Sequence, residues 1–192
     1  MNIGLYFGAF NPVHDGHVSV ANYVLNNCKL DKVWLILTPQ SPHKRNNILI
    51  DFKHRYSMLQ IAFEKHKNIL PKDVEKNLQS PNYSIDTLEY LKAKNAKNIF
   101  SVIIGNDNME KFTTWKEYNR IIENHKIYVY PRKSLLGESK MVHQNIHYLK
   151  GPYIDVSATG IRNSIAANQV SNLKIHPKVF KYLTSNNIEI NI

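Results

Sequence analysis

The chain has 192 residues, 43% of them hydrophobic, which suits one domain with a sizeable core, and its formal net charge is +10. The single cysteine, Cys28, excludes an internal disulfide and suits a reducing cytoplasm, and no apolar run approaches the roughly 20 residues that span a bilayer. The charge alone admits nucleic acid, an anionic surface or phosphorylated small molecules as partners, and equally a general lysine-rich bias with no partner behind it.

Ile3 to Phe7 is an apolar run of strand length. It starts at once, without the basic stretch and apolar segment of a secretory leader, so a cytoplasmic location is expected. A turn-rich loop leads into an amphipathic segment from Gly16 to Asn26. Val33 to Leu37 is a second apolar run, and Pro39 and Pro42 interrupt the loop after it. Asp51 to Lys65 has helical spacing through Phe52, Tyr56, Leu59, Ala62 and Phe63. Tyr83 to Ala93 reads as a helix that Ser84 can cap, with Asp86 at its positive end and Tyr83 placed to staple to Leu88. Ile99 to Ile104 and Ile127 to Tyr130 are further strands; Val156 leads into a helix from Ala158, and Pro177 starts a last one. Continuous apolar strands alternating with helices predict an α/β fold, a doubly wound parallel sheet with helices on both faces. No repeat, low-complexity tract or linker divides residues 1–192, so a single domain is expected, with a helical segment of about 157–192 packed on it. Ligands of such folds bind beyond the carboxyl ends of the strands, which directs attention to the loops after Phe7, Leu37, Ile104, Tyr130 and Val156.

In the first loop Gly8 permits a sharp turn off the strand and Pro12 stiffens the chain beyond it. Gly16 and His17 open the helix, where unpaired N–H groups and the helix dipole favour an anion. His14 and His17 add donors that can be charged near neutral pH: the helix end lowers their proton affinity, while a bound polyphosphate raises it. A lone loop histidine is more often an ordinary polar residue, and Asp15 could be a plain cap. Two histidines together with Gly8, Pro12 and Gly16 directly after a strand favour a phosphate site. Neither a P-loop nor a dinucleotide fingerprint occurs. The stretch Gly8-Ala9-Phe10-Asn11-Pro12-Val13-His14-Asp15-Gly16-His17 resembles the G-x-F-x-P-x-H-x-G-H signature of the HxGH nucleotidyltransferase superfamily, kin to class I aminoacyl-tRNA synthetases. Ala9 stands for a common glycine and Asn11 for a common aspartate. The resemblance implies a Rossmann-like sheet and ATP bound by Gly8, Ala9, Phe10, Gly16 and His17.

Near the other end, Ser157 can cap the helix, but Gly160 stands where a capping acid is usual, and Arg162 follows in the second turn. A cation there is unfavourable by ~0.3–1 kcal/mol unless an anion is close. Hydroxyls, free N–H groups and an arginine together describe a phosphate cradle, although a capped helix with a solvated arginine would look the same. Val156-Ser157-Ala158-Thr159-Gly160-Ile161-Arg162 is similar to the I-S-x-T-x-I-R motif that accompanies HxGH in adenylyltransferases, which implies ATP contacts from Ser157, Thr159 and Arg162.

The segments between resemble nicotinate-nucleotide adenylyltransferases. The proline-rich loop carries Lys44 where the family has a phosphate-binding lysine; Tyr83-Ser84-Ile85-Asp86-Thr87-Leu88 resembles its Y-[ST]-x-D-T-L segment beside the nicotinate. Gly105-Asn106-Asp107 resembles its G-x-D, whose aspartate holds a ribose; Trp115 matches the stacking tryptophan, and Arg132 a phosphate-contacting arginine. The resemblance implies adenylyl transfer from ATP to nicotinate mononucleotide in NAD biosynthesis. It assigns His14, His17, Lys44 and Arg162 to the chemistry, Gly105 and Asp107 to ATP, and Lys44, Tyr83, Ser84, Asp86, Thr87, Trp115 and Arg132 to the mononucleotide. Mg²⁺ is expected with ATP rather than in a cage of protein ligands. Nicotinamide mononucleotide, phosphopantetheine or FMN could replace the acceptor. From another class, a basic nucleic-acid-binding domain would explain the charge, but no glycine–aromatic RNA-binding signature, zinc spacing or arginine-rich arm is present. Neither nucleic acid nor membrane is expected as a partner, and the oligomeric state is open.

Overall fold

A computed structural model describes residues 1–39, 49–132, 141–188 and 190. Six strands form one sheet: β1 (Asn2–Gly8), β2 (Lys32–Leu37), β3 (Ile69–Lys72), β4 (Ile99–Gly105), β5 (Ile127–Tyr130) and β6 (Ile146–Tyr148). Their spatial order is β3-β2-β1-β4-β5-β6, and every pairing is parallel. The chain reverses its direction of travel across the sheet between β1 and β4, so the crevice beyond Gly8 and Gly105 is the topological switch point.

Successive side chains on a strand point to opposite faces, and here both faces are buried. On β1, Tyr6 joins one apolar cluster and Ile3 and Leu5 the other. On β5, Tyr128 and Tyr130 face the first cluster, Ile127 and Val129 the second. That is why the strands read as unbroken apolar runs. The first cluster is covered by α1 (Asp15–Asn27), α2 (Phe52–Ala62), α6 (Ala158–Ala166) and α7 (Pro177–Ser185). The second is covered by α3 (Ser84–Lys94), the short α4 (Asn106–Met109) and α5 (Tyr118–Asn124). Pro177 occupies the start of α7, where its missing N–H costs nothing. Among the described residues no helix is long and apolar enough to cross a membrane.

Three local expectations are corrected. The edge strands β3 and β6 were not anticipated: they are four and three residues long, and Pro71 sits inside β3, which an edge strand tolerates because one side of its ladder is unpaired. Val156 is not in a strand; residues 151–157 reach α6 as irregular chain. Ser84 does not cap α3. Tyr83 occupies the cap position with no side-chain bond, and it packs on the cluster that holds Leu88.

Candidate active site

The histidine loop is a closed packing unit. His14 is the N-cap of α1, its carbonyl receiving the N–H groups of His17 (2.9 Å) and Val18 (3.3 Å), so Asp15 is the first helical residue rather than the cap. The N–H of His14 donates to Nδ1 of His17 at 3.2 Å. With Nδ1 accepting, a neutral His17 carries its proton on Nε2 and presents it as a donor. The two imidazoles stack with centroids 3.7 Å apart, and Phe10 sets its ring edge-on to His17 at 4.9 Å. Gly16 makes this stack possible: a Cβ there would meet the His14 ring at 2.9 Å. Burial, helped by the nearby Arg132 charge, pulls His14 down to about 3, and the same burial with its His14 and Arg132 neighbours holds His17 well below its ordinary value. Both are therefore neutral in the free protein at pH 7. Nδ1 of His14 is buried without a hydrogen-bond partner.

The arginine of the last motif reaches this loop. Ser157 caps α6, its Oγ accepting from Gly160 N–H at 3.0 Å. Arg162 donates through one terminal nitrogen to the carbonyl of Asn11 (2.9 Å), 151 residues away, and through the other to Thr159 Oγ1 (3.2 Å); its Nε is buried with no partner. Asp107 stands beyond β4 opposite Arg132 at 3.6 Å, with its Oδ1 also unpartnered. A Cβ on Gly105 would press on both side chains, so glycine here lets Asp107 and Arg132 approach the backbone closely. Asp107, Arg132, Ser157, Gly160 and Lys174 line a cleft of about 510 Å³. A narrow hollow beside it, lined by Tyr6, His14, Gly16 and His17, shares Arg132, Ile154 and Val156 with that cleft. Of the unpartnered buried atoms, Asp107 Oδ1 belongs to a residue of the cleft and His14 Nδ1 to a residue of the hollow, and a polar ligand would satisfy such atoms.

The second group of predicted residues lies apart from both clefts. Asp86, in the first turn of α3, holds Lys116 at 2.8 Å, and that ammonium sits 5.0 Å from the centre of the Tyr83 ring. Trp115, next along the chain, is half-buried against Phe112. Lys116 thus joins Asp86 and the Tyr83 ring, one residue along the chain from Trp115, with Ser84 at the head of α3. Thr87 is placed differently: it is fully buried, and its hydroxyl donates to Glu75 at 2.8 Å, so it supports α3 from beneath. Arg132, expected with this group, stands on the Asp107 side instead. Lys44 lies outside the described residues.

Comparison with known proteins gives the family and the fold. The cytidylyltransferase-like family matches residues 5–164. A Flavobacterium psychrophilum protein named "Probable nicotinate-nucleotide adenylyltransferase" is 40% identical over 189 residues, covering 97% of this chain and 98% of its own. A Flavobacterium johnsoniae protein of the same name is 41% identical, with the same coverage. The chain belongs to the nicotinate-nucleotide adenylyltransferase family. The same fold is seen in Plasmodium falciparum nicotinic acid mononucleotide adenylyltransferase complexed with NaAD, with a TM-score of 0.78, 19% identity, and 97% and 96% of the two chains covered. As a member of this family the chain is a nucleotidyltransferase, built on the expected α/β sheet.

Against the family pattern, Asn11 in place of the common aspartate has two bonds of its own. Its carbonyl takes Arg162, and its Oδ1 accepts from Ile50 N–H at 2.9 Å. Three further residues, two of them without a usable sequence signal, lie outside the motifs read above. Lys174 lines the cleft, its carbonyl accepting from Asp15 N–H at 3.0 Å, and nothing in its local sequence marks it. Lys116 is legible only as a polar neighbour of Trp115. Arg55 does carry a signal: it is a charge on the apolar stripe of Phe52, Leu59 and Ala62, and it is 2% exposed.

Proposed function

We propose that this chain transfers the adenylyl group of ATP to nicotinate mononucleotide, giving nicotinate adenine dinucleotide and pyrophosphate. The observation that carries the reading is the joining of Arg162 to the histidine loop at the switch point, with its Nε, Nδ1 of His14 and Oδ1 of Asp107 all lacking protein partners. A phosphate oxygen of the mononucleotide attacks the α-phosphorus, the new P–O bond forms, the bond to the β-phosphate breaks, and pyrophosphate carries away the electron pair. A phosphate monoester is already ionised, so no general base is needed; catalysis consists of positioning and of meeting the charge that develops.

The residues divide that work. His17 offers its Nε2 proton to phosphate oxygen, and His14 seats it through the ring stack and the backbone bond. Both are neutral until the nucleotide arrives, and the approaching negative charge raises their proton affinity, so charge develops where phosphate needs it. Arg162 and Lys44 add permanent positive charge, and Gly8, Ala9, Phe10, Gly16, Ser157 and Thr159 supply the surrounding backbone and hydroxyl groups. Asp107, beside Gly105, accepts from ribose hydroxyls, with Arg132 holding its carboxylate. Tyr83, Ser84, Asp86 and Trp115 form the platform for the pyridine ring, and Thr87 steadies it from below. Mg²⁺ enters as MgATP, since phosphate oxygens are its natural ligands.

The test is a substrate panel of nicotinate, nicotinamide and flavin mononucleotides and phosphopantetheine, each with ATP, followed by pyrophosphate release and product mass. Dinucleotide formed fastest from nicotinate mononucleotide is expected. Faster turnover of any other acceptor overturns the assignment.

A further inference from the structure

Arg55 lies in the first turn of α2, is 2% exposed, and is among the largest fully buried side chains of the protein. A guanidinium so placed must satisfy five donors without water. Four of its bonds go to main-chain carbonyls: Nε to Ile50 (2.7 Å), one terminal nitrogen to both Ala9 and Thr38 (2.8 Å each), and the other to Pro39 (2.8 Å). No carboxylate forms an ion pair with it among the described residues. Its partners belong to three separate pieces of chain: the histidine loop leaving β1, the loop leaving β2, and the segment entering α2. The first two are also linked where the β1–β2 ladder ends, Thr38 N–H on the Gly8 carbonyl, and the third reaches the first through Ile50 N–H on Asn11; among the described residues Arg55 is the single side chain that bonds to all three.

One residue of the histidine loop needs such bracing. Phe10 has φ 46°, the left-handed region that costs a non-glycine residue on the order of 1–3 kcal/mol and persists only where neighbours enforce it. It is gripped on both sides. The carbonyl of Ala9, immediately before it, is held by Arg55, and across that trans peptide the N–H of Phe10 is turned the opposite way. Immediately after it, the side chain of Asn11 accepts from the N–H of Ile50, whose carbonyl is the one that receives Arg55 Nε. Arg55, Ile50 and Asn11 thus close a clamp around Phe10, and the Phe10 ring in turn lies edge-on to His17.

We propose that Arg55 is a positioning residue for adenylyl transfer, holding Phe10 in its strained conformation from inside the fold and through it the orientation of the His17 imidazole. It touches neither substrate in this scheme. The inference rests on the adenylyl-transfer reading above, and a readout independent of activity is therefore included.

Arg55→Lys keeps the charge and the stem but cannot reproduce a fork that meets four carbonyls. In the folded variant, assayed well below its melting temperature, kcat should fall at least tenfold while KM for nicotinate mononucleotide stays within about twofold, because the platform at Tyr83 and Trp115 is untouched. In ¹⁵N–¹H spectra of the imidazoles, His17 of the native protein should show an accepting Nδ1 and a protonated Nε2, and this signature should weaken in the variant. A merely structural arginine would lower the melting temperature and leave kcat per folded molecule and the His17 nitrogens unchanged, and that result overturns the proposal. Should Arg55→Lys fail to fold, Asn11→Ala, which opens the same clamp from its other jaw, decides by the same two readouts: a severalfold fall in kcat with altered His17 nitrogens supports the clamp, and native values of both reject it. If the native protein makes no dinucleotide from any acceptor, the adenylyl-transfer reading fails, while the imidazole spectra still decide whether Arg55 orients His17.

Discussion

The two halves of the candidate site are built by opposite means. On the proposed nucleotide side, polar groups are taken into the protein: the neutral His14 is 4% exposed and the charged Arg55 2%, and each is held by ring stacking or main-chain bonds. On the acceptor side, the charges stay in water. Asp86 and Lys116 are each about two-fifths exposed and pair with one another over the Tyr83 ring, while Trp115 shows part of its surface. A buried arrangement is organised before substrate arrives, which suits groups that must meet a transition-state charge without reorganising. A solvated platform binds by area and stacking and adapts at little cost. The first should govern kcat and the second KM.

The largest effect is expected from His17→Ala. Loss of one preorganised donor should lower kcat by roughly 10²–10³; because His17 also accepts from His14 N–H and packs against the His14 and Phe10 rings, kcat is compared on folded protein well below its melting temperature. Steady-state kinetics giving a kcat within tenfold of the native value would remove His17 from the charge-stabilising role.

Next comes Glu75, the one buried acid beneath the acceptor platform among the described residues. It is 2% exposed, and Thr87 donates to its Oε1. Burial, only partly offset by the bonds from Thr87 and Thr38, raises its carboxyl from 4.5 to about 7. Between those values the native state holds a proton that the unfolded chain has lost, so stability falls as pH rises from 4.5 to 7, by at most ~3 kcal/mol. His14 acts in the opposite sense: with its proton affinity dropped from 6.5 to about 3, the native state refuses a proton that the unfolded chain takes, and stability falls as pH drops below 6.5. The two slopes oppose each other between pH 4.5 and 6.5. Urea titrations across pH should show Glu75→Gln gaining stability relative to the native protein above pH 7 and keeping only the acid-side loss. A variant that tracks the native curve throughout would mean that Glu75 is ionised at no cost.

Trp115→Ala should raise KM for the mononucleotide by roughly tenfold, the value of one stacked ring, with KM for ATP little changed. A rise confined to ATP would place the acceptor elsewhere. The smallest effect belongs to Asp86→Asn. An exposed, solvent-screened pair contributes little, so KM for the acceptor should shift only a few-fold and the shift should shrink in high salt. A large, salt-independent loss would show that Asp86 contacts substrate directly rather than through Lys116.

Much of the fold is legible in the residues alone. The four apolar strand runs coincide with β1, β2, β4 and β5 because residues buried on both faces leave an unbroken apolar record, and Ser157 and Pro177 begin their helices as cap chemistry dictates. The edge strands leave no such record. β3 carries Pro71 and β6 has three residues, and each is a strand only because a neighbour offers it a ladder.

The sequence by itself determined the glycine–proline–histidine loop after β1, the hydroxyl-and-arginine start of α6 and the order in which they occur, since each depends on residue type at short spacing. Tertiary structure alone decided the rest. Arg162 meets Asn11 across 151 residues, Arg132 goes to the Asp107 side, and Thr87 turns inward to Glu75. The charge state of the histidines belongs here too. A spacing pattern shows two imidazoles beside an anion site, whereas desolvation by the surrounding fold makes them neutral in the free protein. Proton affinity and long-range pairing depend on what surrounds a side chain in space, and that is set by chain segments far away in sequence.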